Sequence, residues 1–216
     1  MITITKRNRY PAALPWVLYI SSIQYFVIQL IAAIPFTPRF SIADNTISDL
    51  GNTVCGPYGN RLVCSPLHIL MNVSLVVVGL TIIFGSIFAY KSLPRSRATL
   101  VGFALFASGG LGTILVGLFP ENTVAALHVL GAALPFAVGN AGLVMLGLCL
   151  PLSKTVRLYT LLSGLIALIA TLLLITGNYA GLGLGGMERI AAYPQTIWMI
   201  LLGFYCLNRS VKRKTK

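Results

Sequence analysis

Charge is what this sequence has least of. Only 9% of its 216 residues are charged, four are acidic, and there are two histidines. A soluble globular domain carries roughly 25% charged residues. That deficit, with 56% hydrophobic residues and a mean hydropathy of +0.86, excludes a water-soluble fold and marks a membrane protein. The histidines never pair as H-E-x-x-H, so the chain has no local metallohydrolase signature. Cys55 and Cys64 have no third sulfur nearby, which argues against a thiolate metal site. The apolar segment after Arg9 lacks a small-residue cleavage site, so it is expected to be a retained first span.

What is present is oil in long runs. At about 20 residues per crossing, the length allows six or seven spans in one membrane domain. An all-α bundle of six is expected, with spans near 16–34, 66–90, 99–119, 124–150, 158–176 and 187–207. Trp16 and Tyr19 are expected as interfacial aromatics. Gln24 and Gln29 should face protein, because an unpaired amide in lipid is costly. Pro194 should kink the sixth helix.

The cations fall on one side of this scheme. Lys6, Arg7 and Arg9, then Lys91, Arg95 and Arg97, then Lys154 and Arg157, and finally Arg209, Lys212, Arg213, Lys214 and Lys216 all lie on one face. No acid joins them. Lysine and arginine gather on the cytoplasmic side of membranes, so both termini are expected inside the cell, in the cytoplasmic membrane. The net charge of +12 then reflects topology and contacts with anionic membrane lipids, not nucleic-acid binding. The opposite face holds Arg39, Arg61 and Arg189, all four acids (Asp44, Asp49, Glu121, Glu188) and both histidines.

Cys55 and Cys64 lie on that outward face around the turn residues Gly56, Pro57, Gly59 and Asn60. Disulfides persist in oxidising compartments, so a Cys55–Cys64 bridge is expected; Cys149 and Cys206 should be free. Glycines crowd spans 3 and 4, as tight helix packing in lipid requires. Leu67-His68-Ile69-Leu70 echoes as Leu127-His128-Val129-Leu130, which suggests two related helical hairpins.

The chemistry-bearing residues share this outward level. Ser65 is expected to cap span 2 with Pro66 first in the helix, which places Ser65, His68 and Asn72 on one face. Pro120 is expected to start span 4, setting Glu121 and His128 on one face. Asp44 or Asn45 should cap a short helix at 46–50, stopped by Gly51, that lies as a lid over His68. His68, His128 and Asp49 form a ligand set that zinc would take, to activate water against a lipid ester, amide or phosphate. Ser65 is a helper or nucleophile in that reading. The structural alternative is that each histidine bonds a neighbouring helix, while Glu188 and Arg189 fix span 6 to the 44–49 loop.

The runs NTISDLG, CSPLHILMN, GLFPEN with LHVLGA, and GMERIAAYPQTIW resemble a bacterial and archaeal multi-pass membrane family, the domain of unknown function numbered nine hundred ninety-eight. The likeness extends from about Trp16 to Leu207. It implies a cell-membrane location and points to Asn45, Ser48, Asp49, Ser65, His68, Asn72, Pro120, His128, Glu188 and Arg189. More distantly, the arrangement is similar to membrane hydrolases of the alkaline-ceramidase and adiponectin-receptor type. Those carry paired histidines on the last helix. Span 6 here has no histidine, so a three-histidine zinc site cannot form. The expected function is binding of a lipid-like, amphipathic ligand at the outward polar cluster. The alternatives are a metal-dependent lipid hydrolase, with Asp49, Ser65, His68, His128 and Glu188 as catalytic groups, and a small-molecule transporter. Transport would need polar residues continuing across the membrane, and beyond Asn140 the sequence supplies few.

Overall fold

In a computed structural model of the chain, residues 13–212 are described, with side chains to Arg209. Lys6, Arg7, Arg9, Arg213, Lys214 and Lys216, expected as topology determinants, lie outside the described residues. Among the described residues, six helices are long and apolar enough to cross a membrane: Leu14–Ala33, His68–Ser92, Arg97–Leu118, Ala125–Cys149, Lys154–Ile175 and Gly183–Arg209. They are called spans 1 to 6. Their large apolar side chains also cover the outside of the bundle; Ile34 is 82% and Ile175 77% exposed. An apolar exterior of this kind belongs in hydrocarbon, where helices satisfy their own backbone groups.

Spans 3 and 4 form the most extensive helix pair, spans 2 and 3 the next, and spans 1, 5 and 6 complete the bundle. The 2–3 contact is closer than side chains would permit. A methyl placed on Gly79 would sit 2.5 Å from the Gly110 carbonyl oxygen, and one on Gly110 would sit 2.7 Å from that of Gly79. Small residues at such crossings replace the hydrophobic drive that lipid removes.

Trp16 and Tyr19 are not interfacial. Both are fully buried. Tyr19 stacks at a tilt on Trp198 with centroids 5.9 Å apart, and Trp198 meets Phe106 edge-on at 5.1 Å. Aromatic side chains bury large apolar areas when they pack inside a protein. Gln24 does face protein, donating to Ser74 O at 3.2 Å and accepting from Ser74 Oγ at 2.7 Å. Gln29 likewise accepts from the Tyr193 hydroxyl.

Span 4 is interrupted by a wider, π-type turn at Leu134–Gly139, which contains Pro135. Such turns release carbonyls from the helical ladder. Gln195 of span 6 takes that of Pro135, and Thr171 of span 5 donates to Phe136 O at 3.1 Å. Span 6 runs through Pro194 within one helix, Gly183–Lys212.

At one end of the bundle, the loop end, the segment between spans 1 and 2 folds over the helices. It contains a short 3-10 helix, Ser48–Gly51, and a hairpin of β1 (Gly56–Tyr58) and β2 (Arg61–Val63), with Tyr58 paired to Arg61. Cys55 and Cys64 are disulfide-bonded across its base. Turn residues Gly59 and Asn60 reverse the chain, Gly59 at φ +59. Replacing both bridged cysteines by serine should lower unfolding stability by about 2–3 kcal/mol on the chain-entropy model, read as a lower melting temperature of purified protein in detergent.

Candidate functional site

Asp49 is the centre of the loop end. It is fully buried, and polar groups close it in on every side. Arg61 grips it in a two-pronged pair, Nε to Oδ2 and Nη2 to Oδ1, both 2.7 Å. Asn45 Nδ2 donates to Oδ2 at 3.0 Å and the Thr46 backbone N–H at 3.1 Å. The Asp49 N–H returns a bond to Thr46 Oγ1 at 3.0 Å. Thr46 and Asp49 thus bond each other reciprocally where the chain enters the short helix, whose cap position is Ile47 and not the expected Asp44 or Asn45. Hairpin and disulfide are what bring Arg61 within reach.

Glu121 joins this group from the turn between spans 3 and 4. Its Oε1 accepts from Asn52 Nδ2 at 3.1 Å, and Oε2 lies 4.0 Å from Arg61. Burial first, then a hydrogen bond and repulsion from Asp49, push the Glu121 carboxyl up to about 8. Burial alone would raise Asp49 too, but the bonds from Arg61, Glu121 and Asn45 hold it below the ordinary carboxylate value. Two close carboxyls facing one guanidinium thus keep one proton between them.

A second set of bonds ties the same segment to the spans. Glu188 Oε2 accepts the Ile47 N–H. Ser65 Oγ donates to Leu50 O at 2.7 Å, and Asn72 Nδ2 to Gly51 O at 2.9 Å. Arg189 Nη1 donates to Asn45 O at 2.7 Å and Ile42 O at 3.0 Å. Ser48 Oγ lies 3.0 Å from His128 Nε2 and 3.5 Å from Glu188 Oε1. His128 Nδ1 donates to Phe119 O at 2.8 Å.

Of the residues singled out by sequence, Asn45, Ser48, Asp49, Ser65, Asn72, Glu121, His128, Glu188 and Arg189 all converge on residues 45–52. His68 does not. Its Nδ1 donates to Ser65 O at 2.9 Å, within its own turn, and it lines a separate groove with Thr53, Asn72, Pro120 and Thr123. The lid reaches the span 4 histidine, not the span 2 one. Ser65 does not cap span 2, because its hydroxyl serves Leu50 and the helix begins at His68. Pro120 does not open span 4; residues 121–123 form a turn and the helix begins at Ala125.

The metal set His68, His128 and Asp49 is not assembled. Both His128 nitrogens and both Asp49 oxygens are committed to protein partners, and His68 lies elsewhere. Among the described residues no three His, Cys, Asp or Glu side chains come together as metal ligands. Arg61 and Asn52 were missed from the sequence. The available signal was that Arg61 is one of three cations on the acidic face and follows a turn inside the disulfide loop.

Beneath the lid lies a cavity. Ile47, Ser48 and Glu188 line it together with the apolar Leu75, Val78, Ile82, Val116 and Phe136, and with Tyr25, Thr113 and Gln195. From Glu188 to Gln195 it follows two turns of span 6, about 10 Å at 1.5 Å per residue. Its cavity volume is about 60 Å³. It is a small slot between the helices with a mostly apolar lining.

The fold defines a multi-pass membrane protein whose polar loop closes a slot between its helices. Residues 20–205 match the family described as Protein of unknown function (DUF998), and the chain belongs to it. No curated protein and no solved structure matches the chain; the likeness to ceramidase-type hydrolases stays an expectation of the sequence.

Two outcomes test this geometry. Arg61→Ala strands a buried carboxylate and should cost about 3–5 kcal/mol, while the double change Asp49→Leu with Arg61→Met should recover much of it, both read by thermal melting. Glu121 binds its proton more tightly folded than unfolded. Its stabilising effect is full below about pH 4.5 and is lost as pH rises towards about 8. Glu121→Gln should flatten the fall in melting temperature over that window; an unchanged slope would remove Glu121 from the proton balance.

Proposed function

We propose that this protein is a receptor or carrier for a lipid-like, amphipathic molecule, held in the slot under the lid. The observation that carries this reading is the slot's composition: apolar walls of Leu75, Val78, Ile82, Val116 and Phe136 end at Ser48 and Glu188 beneath the lid. An apolar chain would replace void along the walls, gaining about 25 cal/mol per Å² of surface buried. Its polar end would meet the hydroxyl and the carboxyl.

The positive-inside distribution supports a cytoplasmic-membrane location with both termini inside and the lid facing out. That orientation would put the Cys55–Cys64 disulfide in an oxidising compartment, where such bonds persist. The metal-dependent hydrolase gains no support, because its three ligands do not meet. Continuous transport is disfavoured because Gln195, at the far end of the slot, donates to Asn140 at 2.9 Å and ties spans 4 and 6 there.

Narrowing the slot should empty it. Wild-type protein released from detergent in native mass spectrometry should carry a chain-bearing adduct. Val78→Phe and Ala132→Leu, which add bulk to the lining, should lose it while still melting cooperatively. Equal adduct occupancy in all three proteins would contradict the reading.

A further inference from the structure

The hydroxyl at the mouth of the slot is held as a nucleophile is held. The Phe119 carbonyl can only accept, so Nδ1 of His128 carries the ring hydrogen in that bond. The neutral ring therefore presents its Nε2 lone pair, and Ser48 donates its single hydroxyl hydrogen there at 3.0 Å. Glu188 Oε1, at 3.5 Å, is the weaker acceptor and lies outside normal O–H···O range. A serine hydrogen-bonded to an imidazole that a third group orients is the geometry of an activated nucleophile. Here the orienting group is a backbone carbonyl, so the unit is a dyad. Glu188 fixes the Ile47 N–H, one residue before the nucleophile, and so acts as a positioning residue. Ser48 lines the slot, which places its oxygen where the polar end of a bound chain would lie.

We propose that Ser48 and His128 form a metal-free acyl-transfer site acting on a long-chain carboxylic ester. This rests on the slot being a chain-binding site. Ser48 Oγ attacks the ester carbonyl carbon as its proton passes to His128 Nε2. The C–O bond to the alcohol breaks, and the departing oxygen takes the proton from His128. The acyl group is left on Ser48 as an ester. Water then attacks that carbonyl, giving its proton to His128, and Ser48 Oγ departs and is reprotonated. The products are an alcohol and a fatty acid. No oxidant or metal is required. The apolar lining of Leu75, Val78, Ile82, Val116 and Phe136 favours an apolar acyl chain.

The test uses purified full-length protein in nanodiscs with a hexadecyl fluorophosphonate. Wild type should be modified at Ser48, located by peptide mass spectrometry. The rate should fall as acid protonates His128, a pH profile that needs no variant to fold. Ser48→Ala should abolish labelling, and His128→Gln should slow it at least a hundredfold, the lower range of general-base effects. Ser41→Ala, at a neighbouring serine outside the slot, should label as wild type. Labelling of another serine, or a rate indifferent to His128→Gln, overturns the proposal. Hexadecanol binding, measured on the same samples by native mass spectrometry, separates the two claims. If hexadecanol binds and Ser48 stays unmodified, the slot stands and the acyl-transfer site fails. If hexadecanol does not bind, both fail.

Discussion

The loop end depends on one buried pair, the carboxylate of Asp49 in the fork of Arg61. A carboxylate removed from water is tolerable only when its lone pairs are fully used. Here two guanidinium nitrogens, an amide and a backbone N–H use them. The bonds give the segment one conformation, and that conformation aims Ile47 and Ser48 into the bundle. Arg61 can take part only because the Cys55–Cys64 bridge closes the hairpin that carries it. Covalent closure and ionic pairing therefore serve the same end.

The spans then hold what the pair has shaped. Glu188, Ser65, Asn72, Arg189 and His128 come from spans 2, 4 and 6 or their approaches, and each bonds a different group of one short segment. A membrane interior offers no water to satisfy such groups, so each finds a protein partner. These bonds fix the segment over the slot in one conformation.

Much of this was legible in the chain. Long apolar runs and the Gly-rich crossings are direct consequences of lipid as solvent, and Gly79 against Gly110 fits that logic. The convergence of Asn45, Asp49, Glu188 and Arg189 also followed from their common level. What the sequence hid depends on backbone paths that spacing does not encode. Helical spacing put Ser65, His68 and Asn72 on one face, but the chain reaches span 2 through a turn, so Ser65 and Asn72 serve the lid and His68 does not. Trp16 and Tyr19 sit where interfacial aromatics sit in sequence, yet both are buried, with Tyr19 between the rings of Trp16 and Trp198. The partnership of Ser48 with His128 spans 80 positions, beyond any local motif.

Residues 43–52 thus form a pinned lid and not a mobile loop. Hydrogen–deuterium exchange of the intact protein in nanodiscs tests this directly. The account predicts that the amides of Ile47, Asp49 and Asn52 exchange as slowly as those within the helical spans. Exchange of that segment at the rate of an open, solvated loop would contradict it.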